Sequence, residues 1–358
     1  MIMESKSYSY ILIFFLHIFL AHFLIHTTAN IPAIIVFGDS SVDAGNNNHV
    51  PTIARSNFGP YGRDFAGGRP TGRFCNGRIA TDFISEGVGL RPVVPAYLDP
   101  AYNMSDFSVG VTFASAGTGY DNATSDVLGV IPMWKELEYY KEYRSRLREH
   151  VGDFRALSTL VNALYVVSMG TNDFLENYYS TFSQRRMQYT VDEYEDFLIR
   201  LARNFVVEIH SLGAHKISLG GLPPMGCMPL ERTQNIANGN ECMETYNVVA
   251  ESFNQKLEAM VGELNRDIPG LQLVFSNPYY VLRQIVDNPA SYGFEVSERA
   301  CCATGRFEMG FTCDERNPMT CRDANKYVFW DAFHPSEQTN RIVAQHLLNT
   351  SLHKFLIT

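Results

Sequence analysis

The chain has 358 residues, of which 46% are hydrophobic and 19% are charged, and this globular composition excludes a disordered or fibrous protein. The formal net charge is −9, with Lys and Arg scattered along the chain, which argues against nucleic acid as a partner. No linker, repeat or low-complexity tract divides the sequence, so we expect a single domain over residues 30–358.

Residues 1–29 have the pattern of a signal peptide. Lys6 lies in a polar segment, residues 11–25 are almost wholly apolar, and small residues at 27–29 offer a cleavage site. The alternative is a membrane anchor, but the apolar run of about 15 residues is short against the ~20 that span a bilayer. We therefore predict cleavage, secretion and no stable membrane span afterwards. In an exported chain, three sequons are predicted glycosylation sites on surface loops: Asn103, Asn122 and Asn349.

Seven cysteines in an exported chain predict disulfide bonds. Six of them lie in the second half of the chain, and six cysteines allow 15 pairings. We expect Cys227 to pair with Cys242, because both flank one polar loop, and Cys75 to remain free. The other four would staple the loop before the last motif: Cys301, Cys302, Cys313 and Cys321. Metal ligation is the rival interpretation, which the lack of paired C-x-x-C spacing disfavours.

Five largely apolar segments predict strands, at residues 33–37, 107–114, 163–169, 216–219 and 271–275. Amphipathic segments between them predict helices. One is expected over residues 134–154, one is opened by a capping box at Thr190, and one is expected over 335–353. The alternation predicts an α/β fold, a three-layer α/β/α sandwich around a mainly parallel sheet of about five strands with right-handed crossovers.

Three of the predicted strands end in turns that carry polar or small residues. Ser40 follows the first strand, Gly117 the second and Asn172 the third. Because the carboxyl ends of parallel strands meet at one edge of a sheet, we expect these three turns to lie together. Taken alone, a serine at such a turn is equally compatible with a helix N-cap.

Asp331 and His334 form the last motif of the chain. Their spacing of three residues predicts that they share one face of a helical turn, where the carboxylate reaches imidazole Nδ1. With a serine they supply the parts of a hydrolytic triad, in which histidine takes the serine proton and aspartate holds the histidine. As an isolated pair, they would more often be a helix cap and a structural histidine.

Four blocks of sequence, in order, resemble the plant GDSL esterase/lipase family of the SGNH hydrolase superfamily. They are F-G-D-S and V-D-A-G-N-N at 37–47, F-A-S-A-G-T-G at 113–119, G-T-N-D at 170–173 and D-A-F-H-P at 331–335. The resemblance covers nearly all of the chain after the predicted signal peptide. This sequence departs from the family motif at Ser41, where the family has leucine, at a position that concerns packing rather than chemistry.

The resemblance implies a secreted serine esterase or lipase of the cell wall or apoplast that hydrolyses carboxylic esters through an acyl-enzyme. The implied partner is a small-molecule or lipid ester, with no metal or organic cofactor. Ser40 would be the nucleophile, His334 the general base and then acid, and Asp331 its orienting partner. The backbone N–H groups of Ser40 and Gly117 and the amide of Asn172 would form the oxyanion hole.

Two other functions are compatible with the same sequence. An acyltransferase would pass the acyl group to a hydroxyl instead of water, and a non-catalytic extracellular binding protein would use the hydrolase scaffold alone. Three further acidic residues lie close to the four blocks: Asp39, Asp43 and Asp173. We interpret them as turn and cap residues rather than as catalysts.

Overall fold

A computed structural model describes residues 31–181 and 183–356. The predicted signal peptide lies outside the described residues. The centre of the fold is a parallel sheet of five strands in the order β2-β1-β3-β4-β5. The strands are β1 (Ile34–Gly38), β2 (Gly110–Thr112), β3 (Leu164–Ser168), β4 (Lys216–Gly220) and β5 (Gln272–Ser276). The predicted α/β fold with a central parallel sheet is confirmed.

Helices cover both faces of this sheet. They are α1 (Ala80–Gly87), α2 (Met104–Phe107), α3 (Asn122–Leu128), α4 (Met133–Val151), α5 (Asp153–Asn162), α6 (Arg185–Gln188), α7 (Val191–Ser211), α8 (Pro229–Gln234), α9 (Glu244–Asp267), α10 (Tyr279–Asp287) and α11 (Glu337–Thr350). The alternate residues of β1 face opposite layers. Ile35 and Phe37 pack with α4, α5, α7 and α9, whereas Ile34 and Val36 pack with α1 and α11. Every residue of β1 is buried, which explains its uninterrupted apolar sequence.

Two predicted elements differ in the structure. The segment predicted as a strand over 107–114 forms only the short β2, because Asn103 and Asp106 make a capping box that draws Phe107 into α2. The helix predicted over 134–154 is two helices, α4 and α5, because Gly152 separates them at a φ of 82°. As a result, Phe154 is 86% exposed instead of buried. The predicted capping box at Thr190 does open α7.

The second half of the chain adds a small parallel sheet and three disulfide bonds. Strands β6 (Val296–Ala300) and β7 (Tyr327–Phe329) form this sheet, which the sequence did not predict. The predicted pair Cys227–Cys242 is confirmed, and Cys75 is free and buried. The remaining bonds are Cys301–Cys321 and Cys302–Cys313. The predicted staple is therefore present just before the last motif.

The topology brings the predicted turns to one edge of the sheet. Because β1 lies between β2 and β3, the segments that follow these three strands are neighbours. Strand β7 leads directly to Asp331, so the last motif arrives at the same place. Among residues 31–181 and 183–356, no helix combines the length and the hydrophobicity that a membrane span requires.

Candidate active site

A tight turn after β1 presents Ser40. Gly38 has a φ of 146°, and a Cβ atom there would collide with the carbonyl oxygen of Ser168, so only glycine fits. Its N–H donates to Glu136 Oε2 at 2.9 Å, and burial raises the pKa of Glu136 well above its usual range. The N–H of Asp39 donates to the Ser168 carbonyl at 3.0 Å, which ties the turn to β3. Glu136 therefore supports this turn through a buried carboxyl group on α4, a role that the sequence did not suggest.

The structure brings Ser40, His334 and Asp331 into one hydrogen-bonded chain. The Ser40 Oγ and His334 Nε2 atoms are 2.8 Å apart, and His334 Nδ1 lies 2.8 and 2.9 Å from the two carboxylate oxygens of Asp331. All three residues are buried. This geometry fits a neutral imidazole that accepts from the serine hydroxyl and donates to the carboxylate.

The segment from Asp331 to His334 is a bend that precedes α11, not the helical turn predicted from the spacing. Asp331 Oδ1 accepts the backbone N–H groups of Phe333 and His334, at 2.9 and 2.7 Å. These two hydrogen bonds fold the segment back towards Asp331, so its carboxylate still reaches the imidazole of His334.

Ser40, Gly117, Asn172 and His334 all border one cavity of about 140 Å³, here called the oxyanion-side cavity. Among the described residues, the backbone N–H groups of Ser40 and Gly117 have no protein acceptor. Asn172 donates one amide hydrogen to the Thr118 carbonyl at 2.9 Å, which fixes the amide and leaves its second hydrogen free. Three neutral donor groups thus belong to residues that border the cavity beside the Ser40 hydroxyl.

Comparison with known proteins agrees with this geometry. The model of the GDSL-like lipase/acylhydrolase family matches residues 34–347. The chain belongs to this family.

Its relatives in Arabidopsis thaliana include GDSL esterase/lipase At2g04570, which is 63% identical and aligns over 91% of this chain and 93% of the relative. GDSL esterase/lipase At2g42990 is 59% identical over 89% of this chain and 91% of the relative. GDSL esterase/lipase At4g26790 is 58% identical over 92% and 93%. This GDSL-family chain is therefore an ester-hydrolysing enzyme, and the resemblance carried by the four sequence blocks is confirmed.

The hydroxyl of Ser41, where the GDSL motif has leucine, is engaged away from the histidine. Its Oγ donates to Asp39 Oδ1 at 2.7 Å and lies 3.0 Å from Ser168 Oγ. Ser41 is exposed, whereas Ser40 is 7% exposed and lies against His334. The two adjacent hydroxyls therefore have separate partners.

Tyr61 is a site residue that sequence analysis missed. Its hydroxyl donates to Asp331 Oδ2 at 2.6 Å and accepts the backbone N–H of Gly310 at 2.8 Å. Burial and then the charge of Asp331 raise the pKa of Tyr61 well above its usual range, so the phenol stays protonated and acts as a donor. No local pattern marks this tyrosine, because its partners lie far away in the sequence.

The acidic residues beside the motifs brace the three turns. Asp43 accepts the N–H groups of Gly45 and Asn46 within its own turn and that of Ala116 in the second block. Asp173 accepts the N–H groups of Tyr120 and Asp121 and the hydroxyl of Thr124. Burial is the largest cause that raises their pKa values, to about 6 for Asp43 and about 7 for Asp173.

Two further carboxyl groups, also missed in the sequence, lie near the oxyanion-side cavity. Glu176 borders the cavity, and burial raises its pKa, although the proximity of His334 lowers it. Burial and then the charge of Glu176 raise the pKa of Glu231 to about 7. Among the described residues, no cluster of His, Cys, Asp and Glu side chains could hold a metal ion.

The three predicted glycosylation sites are all exposed in the structure. Asn103 caps α2, Asn122 begins α3, and Asn349 lies in the last turn of α11. The latter two therefore lie on helices rather than on loops.

Proposed function

We propose that this enzyme hydrolyses carboxylic esters through a covalent acyl-enzyme on Ser40. The observation that carries the proposal is the continuous chain of hydrogen bonds from Ser40 Oγ through the His334 imidazole to the Asp331 carboxylate. A serine hydroxyl is a weak nucleophile near neutral pH, and a histidine in direct contact supplies the base that it needs.

The reaction proceeds in two halves. His334 Nε2 takes the Ser40 proton as Oγ attacks the ester carbonyl carbon, and Asp331 stabilises the imidazolium that forms. The tetrahedral intermediate collapses when the imidazolium gives its proton to the departing alcohol oxygen. Water then enters, gives a proton to His334 and attacks the acyl carbon, and the acid leaves as Ser40 regains its proton.

The oxyanion of both intermediates would bind the N–H groups of Ser40 and Gly117 and the free amide hydrogen of Asn172. Removal of one such donor costs about 2.7–4 kcal/mol of transition-state stabilisation. We therefore expect Asn172→Ala to lower kcat by about 10²–10³-fold, measured on a short p-nitrophenyl ester. Loss of less than tenfold in a folded variant would remove Asn172 from the oxyanion hole.

We also propose that the enzyme is secreted and acts in the cell wall or apoplast. The signal pattern at residues 1–29 and three disulfide bonds support this location, because disulfides persist in oxidising compartments. Glycosylation at Asn103, Asn122 and Asn349 belongs to the same proposal. Mass spectrometry of the protein secreted from plant cells, before and after glycosidase treatment, tests the cleavage site and the three sequons together.

The decisive experiment compares Ser40→Ala with Ser41→Ala. Ser40→Ala is expected to abolish p-nitrophenyl ester hydrolysis and covalent labelling by a fluorophosphonate, whereas Ser41→Ala is expected to keep the labelling because its hydroxyl does not contact His334. Hydrolysis that persists in folded Ser40→Ala would refute the mechanism. Labelling of Ser40 without release of free acid, but with ester formation on an added alcohol, would identify an acyltransferase instead.

A further inference from the structure

A second cavity starts at the catalytic serine and extends in another direction. It has a volume of about 150 Å³, begins at Ser40 and His334, and lies between the sheet and helices α1, α10 and α11. Its wall is mostly apolar and includes Val42, Ile84, Val166, Leu282, Val343 and Leu347. We refer to it as the inner cavity.

The inner cavity is elongated along α11. Asn340, Val343 and Leu347 border it from successive turns of this helix, which begins shortly after His334. At 1.5 Å per residue, the axial distance from Asn340 to Leu347 is about 10 Å. The cavity, here also called the channel, therefore extends from Ser40 along this helix.

The polar groups in its wall bond mainly to one another. Ser218 Oγ lies 2.7 Å from Ser276 Oγ, and Ser276 in turn donates to Ser351 Oγ at 3.0 Å. Thr81 also borders the cavity, with a buried hydroxyl that has no partner among the described residues. The surface presented to a ligand is thus mostly hydrocarbon, which disfavours a sugar or a charged group as the occupant.

We propose that the inner cavity binds the acyl chain of the substrate, so that the enzyme prefers esters of medium-chain acids. This inference rests on the proposed function of Ser40. An apolar cavity of similar size in another protein holds benzene, which has six carbons. The inner cavity accordingly accommodates about six carbons of an unbranched chain beyond the carbonyl group.

The order of the reaction steps explains why the acyl group, rather than the alcohol, occupies this cavity. After the first half of the reaction the acyl group stays on Ser40, while the alcohol must leave and water must enter. The inner cavity is walled by buried side chains such as Ile84 and Val343. Two residues that border the oxyanion-side cavity, Ile53 and Phe311, are 65% and 64% exposed. This cavity therefore opens to solvent and suits the alcohol, which must leave.

The test measures kcat/KM on p-nitrophenyl esters from acetate to laurate. Val343→Phe places a ring halfway along the channel. We expect it to lower the octanoate-to-acetate ratio of kcat/KM by about tenfold, because about two CH2 groups of the octanoyl chain would no longer be buried. Leu347→Ala removes the far wall and is expected to move the optimum to longer chains. Val248→Phe, the same change on an exposed position of α9, is the matched control and should keep the wild-type ratio.

The outcomes separate this inference from the proposed function. Each variant is first labelled with a fluorophosphonate, which counts active Ser40 independently of chain length. Fully labelled Val343→Phe with an unchanged octanoate-to-acetate ratio would overturn the acyl assignment alone. A changed preference among alkyl acetates of increasing alcohol length, with the acyl series unaffected, would also overturn it by assigning the cavity to the alcohol. A wild-type protein without labelling or hydrolysis would refute the proposed function and this inference with it.

Discussion

At the scale of single residues, the position of His334 depends on how many donors converge on Asp331. The carboxylate is fully buried and accepts the Tyr61 hydroxyl, the imidazole Nδ1–H and two backbone N–H groups. Several donors on one carboxylate hold it in one orientation. Tyr61 is the one donor of this set that comes from a distant part of the chain, so its effect is open to a specific test.

We predict that Tyr61→Phe lowers kcat by about tenfold, because Asp331 loses a charge-assisted hydrogen bond that holds the imidazole in line. The free energy of unfolding should also fall by about 1–3 kcal/mol, since the N–H of Gly310 loses its acceptor. Tyr143→Phe is the matched control. That tyrosine donates to the Phe107 carbonyl, away from the site, so its loss should reduce stability but not kcat. Equal kcat values for wild type and Tyr61→Phe would contradict the positioning role.

At the scale of elements, the site depends on a loop that has little secondary structure. The disulfide Cys302–Cys313 closes the loop that carries Gly310, and Gly310 in turn donates to Tyr61. Both Gly310 and Phe311 also border the oxyanion-side cavity. The Cys302–Cys313 bond therefore fixes this loop at the site, although the loop has little secondary structure of its own.

We predict that the double variant Cys302→Ala/Cys313→Ala loses about 3 kcal/mol of unfolding free energy, the value expected for a loop of this length. It should also lose activity at temperatures where it remains folded, because Gly310 no longer holds Tyr61. Introducing the same two changes into Tyr61→Phe tests the cause. If the disulfide acts on kcat through Tyr61, its removal adds little to the kcat loss of that variant, whereas fully additive losses would disprove this link.

At the scale of the whole molecule, buried acids make stability depend on pH. Glu231 has a pKa of about 7 in the fold, raised by burial and then by Glu176, against 4.5 for an unperturbed group. The folded state therefore binds this proton more tightly than the unfolded state, and stability falls as the pH rises from about 4.5 to 7. Above about pH 7, the folded state carries the full free-energy cost of the buried Glu231 carboxylate.

We predict that Glu231→Gln raises the free energy of unfolding by about 1–3 kcal/mol at pH 8 and leaves it nearly unchanged at pH 4.5. Urea unfolding at the two pH values provides the measurement. Glu258→Gln, a change at an exposed position of α9, is the control and should have no such pH-dependent effect. A stability gain that is the same at both pH values would show that packing, not charge, is responsible.

The sequence predicted the parts of the fold that local patterns determine. Strand β1 was recognisable because all its residues are buried, and the capping box at Thr190 because it lies within four residues. Interactions between distant residues were not recognisable. Tyr61 meets Asp331 only after folding, and the break at Gly152 became visible only through its backbone conformation. Likewise, the inner cavity arises where α1, α10 and α11 meet the sheet, and no single segment encodes it.

The pairing of Ser40 with His334 has a consequence for how the protein matures. The two residues are separated by 294 positions. Loop-closure entropy rises with the length of the closed loop, so this contact is among those with the highest entropic cost in the chain. On the proposed mechanism, a growing chain whose last motif has not yet been synthesised holds Ser40 without its base and cannot be acylated. On the same mechanism, reactivity towards a fluorophosphonate counts the molecules in which Ser40 and His334 have met, and it can therefore be used to measure the correctly folded fraction.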